Sequence, residues 1–332
     1  MTLIIAGDIG GTNTRLQLFH TTDQGVEPES APQSYPSQDY PDLVPIVAEF
    51  CQGLKQQPQR ACFAIAGPVA NNCCTLTNLH WQLGGDRLAQ ALNLETVTLI
   101  NDFAGIGYGV VGLKPKDLHC LQAGQPDPMG AIAVLGAGTG LGEAVVIPQG
   151  KGQYRVFPTE GGHTDFAPRN PTETALLDYF KTEKQLKRVS VERVVSGMGI
   201  VDIYHCLRDR LAIPESPALA AQRQNPNLDF AALIAQLAFS TNDRLCCATM
   251  ACFVSAYGSE AGNLALKLLP YGGLFIAGGI APKILPLMEQ GEFMAAYRDK
   301  GRVSAVLDRV PIQVVLSGDV GLVGAALRAA QG

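Results

Sequence analysis

Short runs of apolar and β-branched residues recur at 3–6, 61–66, 97–100, 131–135, 274–277 and 312–316. Each is too short for a buried helix and is bounded by glycine or polar residues, which predicts a buried strand. Between them, apolar positions return with helical spacing over 42–55, 86–92, 230–269 and from about 321 onward. Strands alternating with helices predict the α/β class. One helix start is well marked, with Asn170 as cap, Pro171 at the first helical position and Glu173 completing a capping box ahead of Ala175, Leu176 and Leu177. The Pro-rich stretch 28–45 and the polar stretch 214–227 read as surface connections.

Two strand ends echo one another. Ile4-Ile5-Ala6 runs into GDIGGT, 132–135 runs into GAGTG, and each turn is followed by a second β-prone run. After the first turn Leu16 and Leu18 alternate with Arg15 and Gln17; after the second comes 144–147. Strand, tight glycine turn and strand form a hairpin that can grip phosphate, whereas Rossmann and P-loop sites open their glycines onto a helix. No G-x-x-x-x-G-K-[ST] string occurs, so a Walker-type site is not supported.

Composition sets the scale. The 332 residues are 47% hydrophobic and 17% charged, enough for a large core and more than a usual compact domain, so two domains are expected. A formal charge of −5, with no Lys/Arg cluster, gives no general attraction to nucleic acid or to an anionic membrane, and neither is expected as a partner. MTLIIAGD lacks both the basic start of a signal peptide and the length of a membrane span. Nine cysteines without a Cys-x-x-Cys pair suit reduced thiols, so a cytoplasmic protein is expected. Cys246, Cys247 and Cys252 lie in an apolar helical stretch where cysteine acts as a small hydrophobe, and no structural zinc is expected.

Candidate chemistry falls at strand ends and glycine-rich turns. In GDIGGTNTR, Gly7, Gly10 and Gly11 allow close backbone approach and positive φ, Thr12 and Asn13 offer donors to phosphate oxygens, and Asp8 suits a hydrated Mg2+. A capped hairpin turn without a ligand is the plainer alternative. LGAGTGLGE, 135–143, has Thr139 as its sole hydroxyl among four glycines, Gly138 included. GGLFIAGGI ends a strand at Gly278-Gly279, where adenine or ribose could lie flat on backbone, although an ordinary strand-to-helix turn reads the same way. LINDFAG ends a buried strand in Asn101-Asp102, where open α/β folds gather ligands; either residue could also cap the next helix. PTEGGHTDFAP sets Glu160 and His163 on either side of two glycines, a carboxylate and an imidazole able to meet on one polar ligand, with no second His or Cys at metal-ligand spacing. Glu192, two residues after Ser190, reads by itself as a helix-start carboxylate.

GDIGGTNTRL, TNLHW (77–81), INDFAG (100–105), GAGTGLG (136–142), EGGHTDFAP (160–168), VERVVSG (191–197) and GNLAL followed by YGGLFIAGGI (262–280) occur in this order. With them the chain resembles the bacterial glucokinase family of the hexokinase and actin-like ATPase superfamily over almost its whole length. The resemblance implies a two-lobed actin-like ATPase (ribonuclease H-like) fold, with a cleft between a small α/β domain (1–112 plus 303–332) and a large one (113–302), and a homodimer. It implies transfer of the ATP γ-phosphate to the 6-hydroxyl of glucose, the first step of glycolysis, with Mg2+. It also implies that Asn101, Asp102, Glu160, His163 and Glu192 hold glucose, with Asp102 as the base. The nucleotide would be held by Gly7, Asp8, Ile9, Gly10, Gly11 and Thr12, by Gly138 and Thr139, and by Gly278 and Gly279. The cysteine-rich zinc motif of related sugar kinases is absent, and no helix-turn-helix precedes Asp8. Asp319-Val320 stands where the family often has Asn-Pro, and Gly67 where a Cys is common.

In such a reaction Asp102 takes the sugar proton while magnesium and backbone amides stabilise the transferring group. Closure of the lobes would keep water out, with Pro68, Gly105 and Gly109 near a hinge. A chaperone-type ATPase would share the glycine turns but leave the Asn101, Asp102, Glu160, His163 and Glu192 set unexplained. A sugar-responsive regulator needs a DNA-reading module, and a carboxylate or polyphosphate kinase needs basic residues near its anionic acceptor, which these motifs lack.

Overall fold

The computed structural model describes residues 2–331 apart from 24, 151, 224, 226 and 227. Strands β1 (Leu3–Ile9), β2 (Asn13–Thr22), β3 (Gly25–Pro28) and β4 (Gln33–Pro36) lead into helix α1 (Leu43–Phe50). Then come β5 (Arg60–Ile65), β6 (Cys73–Leu76), β7 (Trp81–Gly84), α2 (Gly85–Leu92), β8 (Thr96–Asn101) and α3 (Asp102–Val110). β9 (Leu118–Gln122), β10 (Ile132–Ala137), β11 (Leu141–Gly150) and β12 (Gln153–Thr159) precede α4 (Pro171–Thr182), α5 (Gly197–Asp209), α6 (Pro217–Gln222), α7 (Phe230–Ser240) and α8 (Arg244–Leu268). The last elements are β13 (Gly273–Ala277), α9 (Leu285–Met288), α10 (Glu292–Arg298), β14 (Ile312–Val315) and α11 (Val320–Ala330). All six expected strands form, and the class is α/β.

The chain divides into two compact units. One comprises Met1–Leu118, Ala144–Pro158 and Val315–Gly332, the other His119–Glu143 and Thr159–Val314. In the first, the strand order is β3-β2-β1-β5-β8, with β4 also on β2. β1, β5 and β8 run parallel with Asp8, Ala64 and Ile100 in one row, so their carboxyl ends are level. Strand alternation sorts β1 into two cores: Leu3, Ile5 and Ile9 pack with α1, while Ile4 and Ala6 pack with Leu322, Ala325 and Ala329 of α11.

Helix α3 lies backbone to backbone against α11. A Cβ on Gly324 would overlap the Gly105 carbonyl, and one on Gly109 would overlap that of Val320. The glycines of α3 are therefore packing residues. The chain passes between units at 118–119, 143–144, 158–159 and 314–315, away from Pro68, Gly105 and Gly109.

In the second unit β10, β13 and β14 are parallel and the core gathers on α8 through Phe253, Tyr257 and Ala261. The segment expected as one helix over 230–269 is two. Asn242, at φ 50°, breaks the run, and the Asp243 carboxylate accepts from Leu245 N and Cys246 N to start α8. Cys246 is buried in that core, and burial pushes its thiol up to about 12.

Three other readings need correction. Within 28–45 the chain forms β4 and a 3-10 turn, Ser37–Asp39, because β2 offers an open edge that Gln33–Pro36 can pair. Within 214–227, Pro217 starts α6, while residues 224, 226 and 227 lie outside the described part. At α4, Asn170 caps Glu173 N at 2.9 Å, but the Glu173 carboxylate accepts from Arg169 N at 2.7 Å and pairs with the Arg169 guanidinium, so the box closes one residue early. Among the described residues no helix is long and apolar enough to cross a membrane.

Candidate active site

In the first unit the level strand ends bring Asp8 near enough to Asp102 to raise the cost of ionising Asp102. Asn101 is the N-cap of α3, its Oδ1 accepting from Phe103 N at 2.9 Å and Ala104 N at 3.3 Å, and its Nδ2 donating to Gly67 O at 3.2 Å. Capping leaves Asp102 as the first helical residue, where the helix dipole favours an anion. Burial pushes the Asp102 carboxyl above its ordinary range and Asp8 adds to the rise, opposed by the Phe103 N–H, which donates to Oδ1 at 2.8 Å. Asp8 is likewise raised, by burial, with Arg15 pulling the other way.

The first glycine turn differs from expectation. Gly7, Gly10 and Gly11 are not at positive φ. Gly7 is required because a Cβ there would overlap the Phe63 ring, and Ile9 is wholly buried, so these alternate positions face the core while Asp8 faces the other way. The Gly10 amide donates to Asn13 O at 2.9 Å, so the exposed tip is Gly11 to Asn13. Ser37 braces that tip: its N–H donates to Thr12 O at 2.9 Å and its hydroxyl to Gly10 O at 2.9 Å. Arg15 donates to Gly318 O at 3.1 Å and pairs with Asp319, holding the start of α11 beside Asp8.

In the second unit Glu160, His163, Glu192 and the Gly138–Gly140 turn come together. Thr164 O accepts from Val191 N and Val189 O accepts from Phe166 N, both at 2.9 Å, which sets the segment after His163 beside the one carrying Glu192. His163 Nε2 lies 3.8 Å from Glu160 Oε2, and both side chains are exposed. One Glu192 oxygen accepts from Leu141 N at 3.0 Å, and a Cβ on Gly140 would overlap it. Glu192 thus ties the second glycine turn to the polar loop. A Cβ on Gly162 would overlap the Leu141 carbonyl, so this loop lies flat on the start of β11 only as glycine.

Behind the turns, the buried Tyr257 hydroxyl accepts from Ala137 N at 3.2 Å and donates to Ala277 O at 3.3 Å, fixing the ends of β10 and β13. Gly278, at φ 83°, follows at once; a Cβ there would meet Ala137 as well as a strained backbone. Gly138, Thr139 and Gly279 line a cavity of about 580 Å³ with Met198, Phe230 and Lys283. Its size falls within the range of roughly 300–1,000 Å³ usual for cofactor sites.

The sequence matches the Glucokinase family over residues 5–332. It is 52% identical over 347 residues to the glucokinase of Synechocystis sp., covering 98% of each chain, and 51% identical over 341 residues to that of Nostoc punctiforme, covering 100% of each. A solved glucokinase from an Antarctic psychrotroph superposes with a TM-score of 0.87 at 32% identity, covering both chains fully. The chain belongs to the glucokinase family. Its fold is the actin-like ATPase fold of these sugar kinases, and the activity of the family is ATP-dependent phosphorylation of glucose.

Within this glucokinase, Ser37, Arg15, Tyr257 and Lys283 were not singled out by motif. Arg15 stood inside GDIGGTNTR and Tyr257 at helical spacing from Phe253, which are faint signals; Ser37 and Lys283 gave none.

Proposed function

We propose that the chain transfers the γ-phosphoryl group of ATP to the 6-hydroxyl of glucose with Asp102 as the base. The observation that carries this is Asp102 at the end of β8, anchored by the Asn101 cap and made more basic by burial. Asn101, Glu160, His163 and Glu192 are assigned to the other sugar hydroxyls. Asn101 has its Oδ1 committed to the helix, so it would offer its second amide hydrogen. Glu192 would offer the oxygen not bound to Leu141.

For the nucleotide, the amides and hydroxyl of Gly11 and Thr12 and the Gly138–Thr139 turn are assigned to phosphates, and the cavity at Gly279, Met198, Phe230 and Lys283 to the nucleoside. Gly10 and Gly278 shape their turns, whereas Gly7 and Ile9 act from the core side. The half-buried Asp8 fits Mg2+ as a single carboxylate on an ion that keeps its waters and takes phosphate oxygens; no group of three or more His, Cys, Asp or Glu side chains among the described residues offers a fuller cage. When bound, Mg2+ neutralises charge on the transferring phosphoryl. The chain's own part is to align the 6-hydroxyl, accept its proton at Asp102 and exclude water. In a loose transition state the hydroxyl loses its proton late, so placement matters more than base strength.

Nine unpaired thiols support a reducing, cytoplasmic setting, and a homodimer completes the proposal. Hexose-dependent ADP release is the test of function: glucose should support turnover and yield the 6-phosphate, and no ADP release with any hexose would overturn the assignment. The acid limb of kcat should lie above the ordinary carboxylate range, since Asp102 must be ionised and its carboxyl is raised.

A further inference from the structure

Glu143 and Glu260 are carboxylates that phosphoryl transfer does not use. Glu143, third residue of β11, and Glu260, on α8, are each only 3% exposed. The Oε1 of each has no hydrogen-bond partner, which is costly for a buried charge. Glu260 Oε2 accepts from Asn263 Nδ2 at 2.9 Å, and Lys267 Nζ stands 3.8 Å from its Oε1. Asn263 Oδ1 in turn accepts from Lys300 Nζ at 2.7 Å. A cavity of about 20 Å³, room for one water, opens beside Ser259, Glu260 and Asn263 and reaches Asp165 and Phe166.

This cluster underlies the loop that carries Glu160 and His163. The Glu143 carboxylate lies against Gly161, where a Cβ would overlap it. Gly161 N donates to Thr159 Oγ1 at 3.1 Å, and Thr159 Oγ1 donates to Glu143 O at 3.5 Å. The loop therefore rests on Glu143 through backbone and side chain alike.

We propose that Glu143, buried with an unpartnered oxygen against Gly161, supports the Gly161–Gly162 turn as a protonated acid, so that glucose affinity depends on its protonation. The proposal rests on the reading of Glu160 and His163 as sugar ligands. Two like charges in a poorly hydrated site cannot both ionise cheaply. Burial, then Glu260, push the Glu143 carboxyl up to about 7, while Lys267 pulls it down. Burial also raises Glu260 against Asn263, Lys267 and Lys300. The charged groups facing the two carboxylates are Lys267 on α8 and Lys300 beyond α10, with Asp165 and Arg169 lining the cavity beside Glu260. When Glu143 loses its proton to solvent, a charge is left buried beside the acidic Glu260, and the Glu143 carboxylate is driven against the turn it supports. Glu143 is a positioning residue: it touches neither sugar nor phosphate.

The test compares glucose KM and kcat from about pH 6 to about pH 8.5 in the full chain and in Glu143→Gln, which is neutral throughout. The native KM should rise by about fivefold, the low end of ordinary site-to-site coupling, with kcat changing less. In Glu143→Gln the KM should stay near its low-pH value. Glu260→Gln removes the like charge from the other side and should flatten the profile too, which covers a failure of the first variant to fold. Parallel KM profiles in native and variant chains would overturn the proposal. So would thermal unfolding midpoints whose pH dependence Glu143→Gln leaves unchanged, a readout that needs no sugar. Glu160→Gln separates the underlying reading: an unaltered glucose KM there removes the sugar-ligand assignment and the coupling with it, while the unfolding midpoints still report Glu143.

Discussion

Asp102 in the first unit and Glu143 in the second are both carboxylates raised by burial, and each has an acidic neighbour, yet they are suited to opposite tasks. Asp102 starts a helix, receives the Phe103 N–H, and its neighbour Asp8 is tempered by Arg15. Glu143 has an oxygen without a donor, and its neighbour Glu260 is as buried as itself. Donors, more than depth, decide which carboxylate can turn over as a base near neutral pH and which keeps a proton as part of the structure.

Breaking the two sites should give unlike results. Asp102→Ala should lower kcat by roughly 10²-fold or more, whereas Glu143→Gln should leave kcat at low pH within a few-fold of native. Similar losses in both, measured at saturating ATP and glucose, would erase the distinction. The next largest effect concerns pH. The folded chain binds the Glu143 proton more tightly than the unfolded chain, at about 7 against an ordinary 4.5, so its contribution is fully present below about pH 4.5 and is lost as pH rises through about 7. That loss is on the order of 3 kcal/mol and should vanish from urea-unfolding curves of Glu143→Gln.

Two smaller changes probe how Asp102 is held. Gly324→Ala forces a methyl group onto the Gly105 carbonyl and should destabilise the first unit by about 1–3 kcal/mol. An unchanged urea midpoint would show that α3 and α11 can part at little cost. Asn101→Ala removes the cap from α3 and should cost about 1 kcal/mol, with a further drop in kcat because Asp102 loses its anchor. A stability loss with no change in kcat would confine Asn101 to capping.

Much of this was legible in the sequence because buried parallel strands leave short apolar runs, and a polar pair directly after such a run, as at Asn101-Asp102, marks a carboxyl end. The glycine strings were visible too, but their reason was not. Gly7, Gly140 and Gly162 are needed for space against Phe63, Glu192 and Leu141, contacts that no local conformational rule contains. Ser37 lay hidden in a Pro-rich stretch because its partners, Gly10 and Thr12, are more than twenty residues away. Glu143 was visible only as the last letter of LGAGTGLGE, since its character depends on Glu260 over a hundred positions later. The break between α7 and α8 had a readable signal in Thr241-Asn242-Asp243, masked by the apolar residues on both sides.

The most direct test of Asp102 as the base is a single-turnover rapid-quench measurement, with enzyme in excess over ATP and glucose saturating, in native and Asp102→Asn chains. The account predicts that glucose still binds to the Asn variant while glucose 6-phosphate forms at least about a hundredfold more slowly in that one turnover. Equal single-turnover rates in a folded Asp102→Asn chain would contradict it.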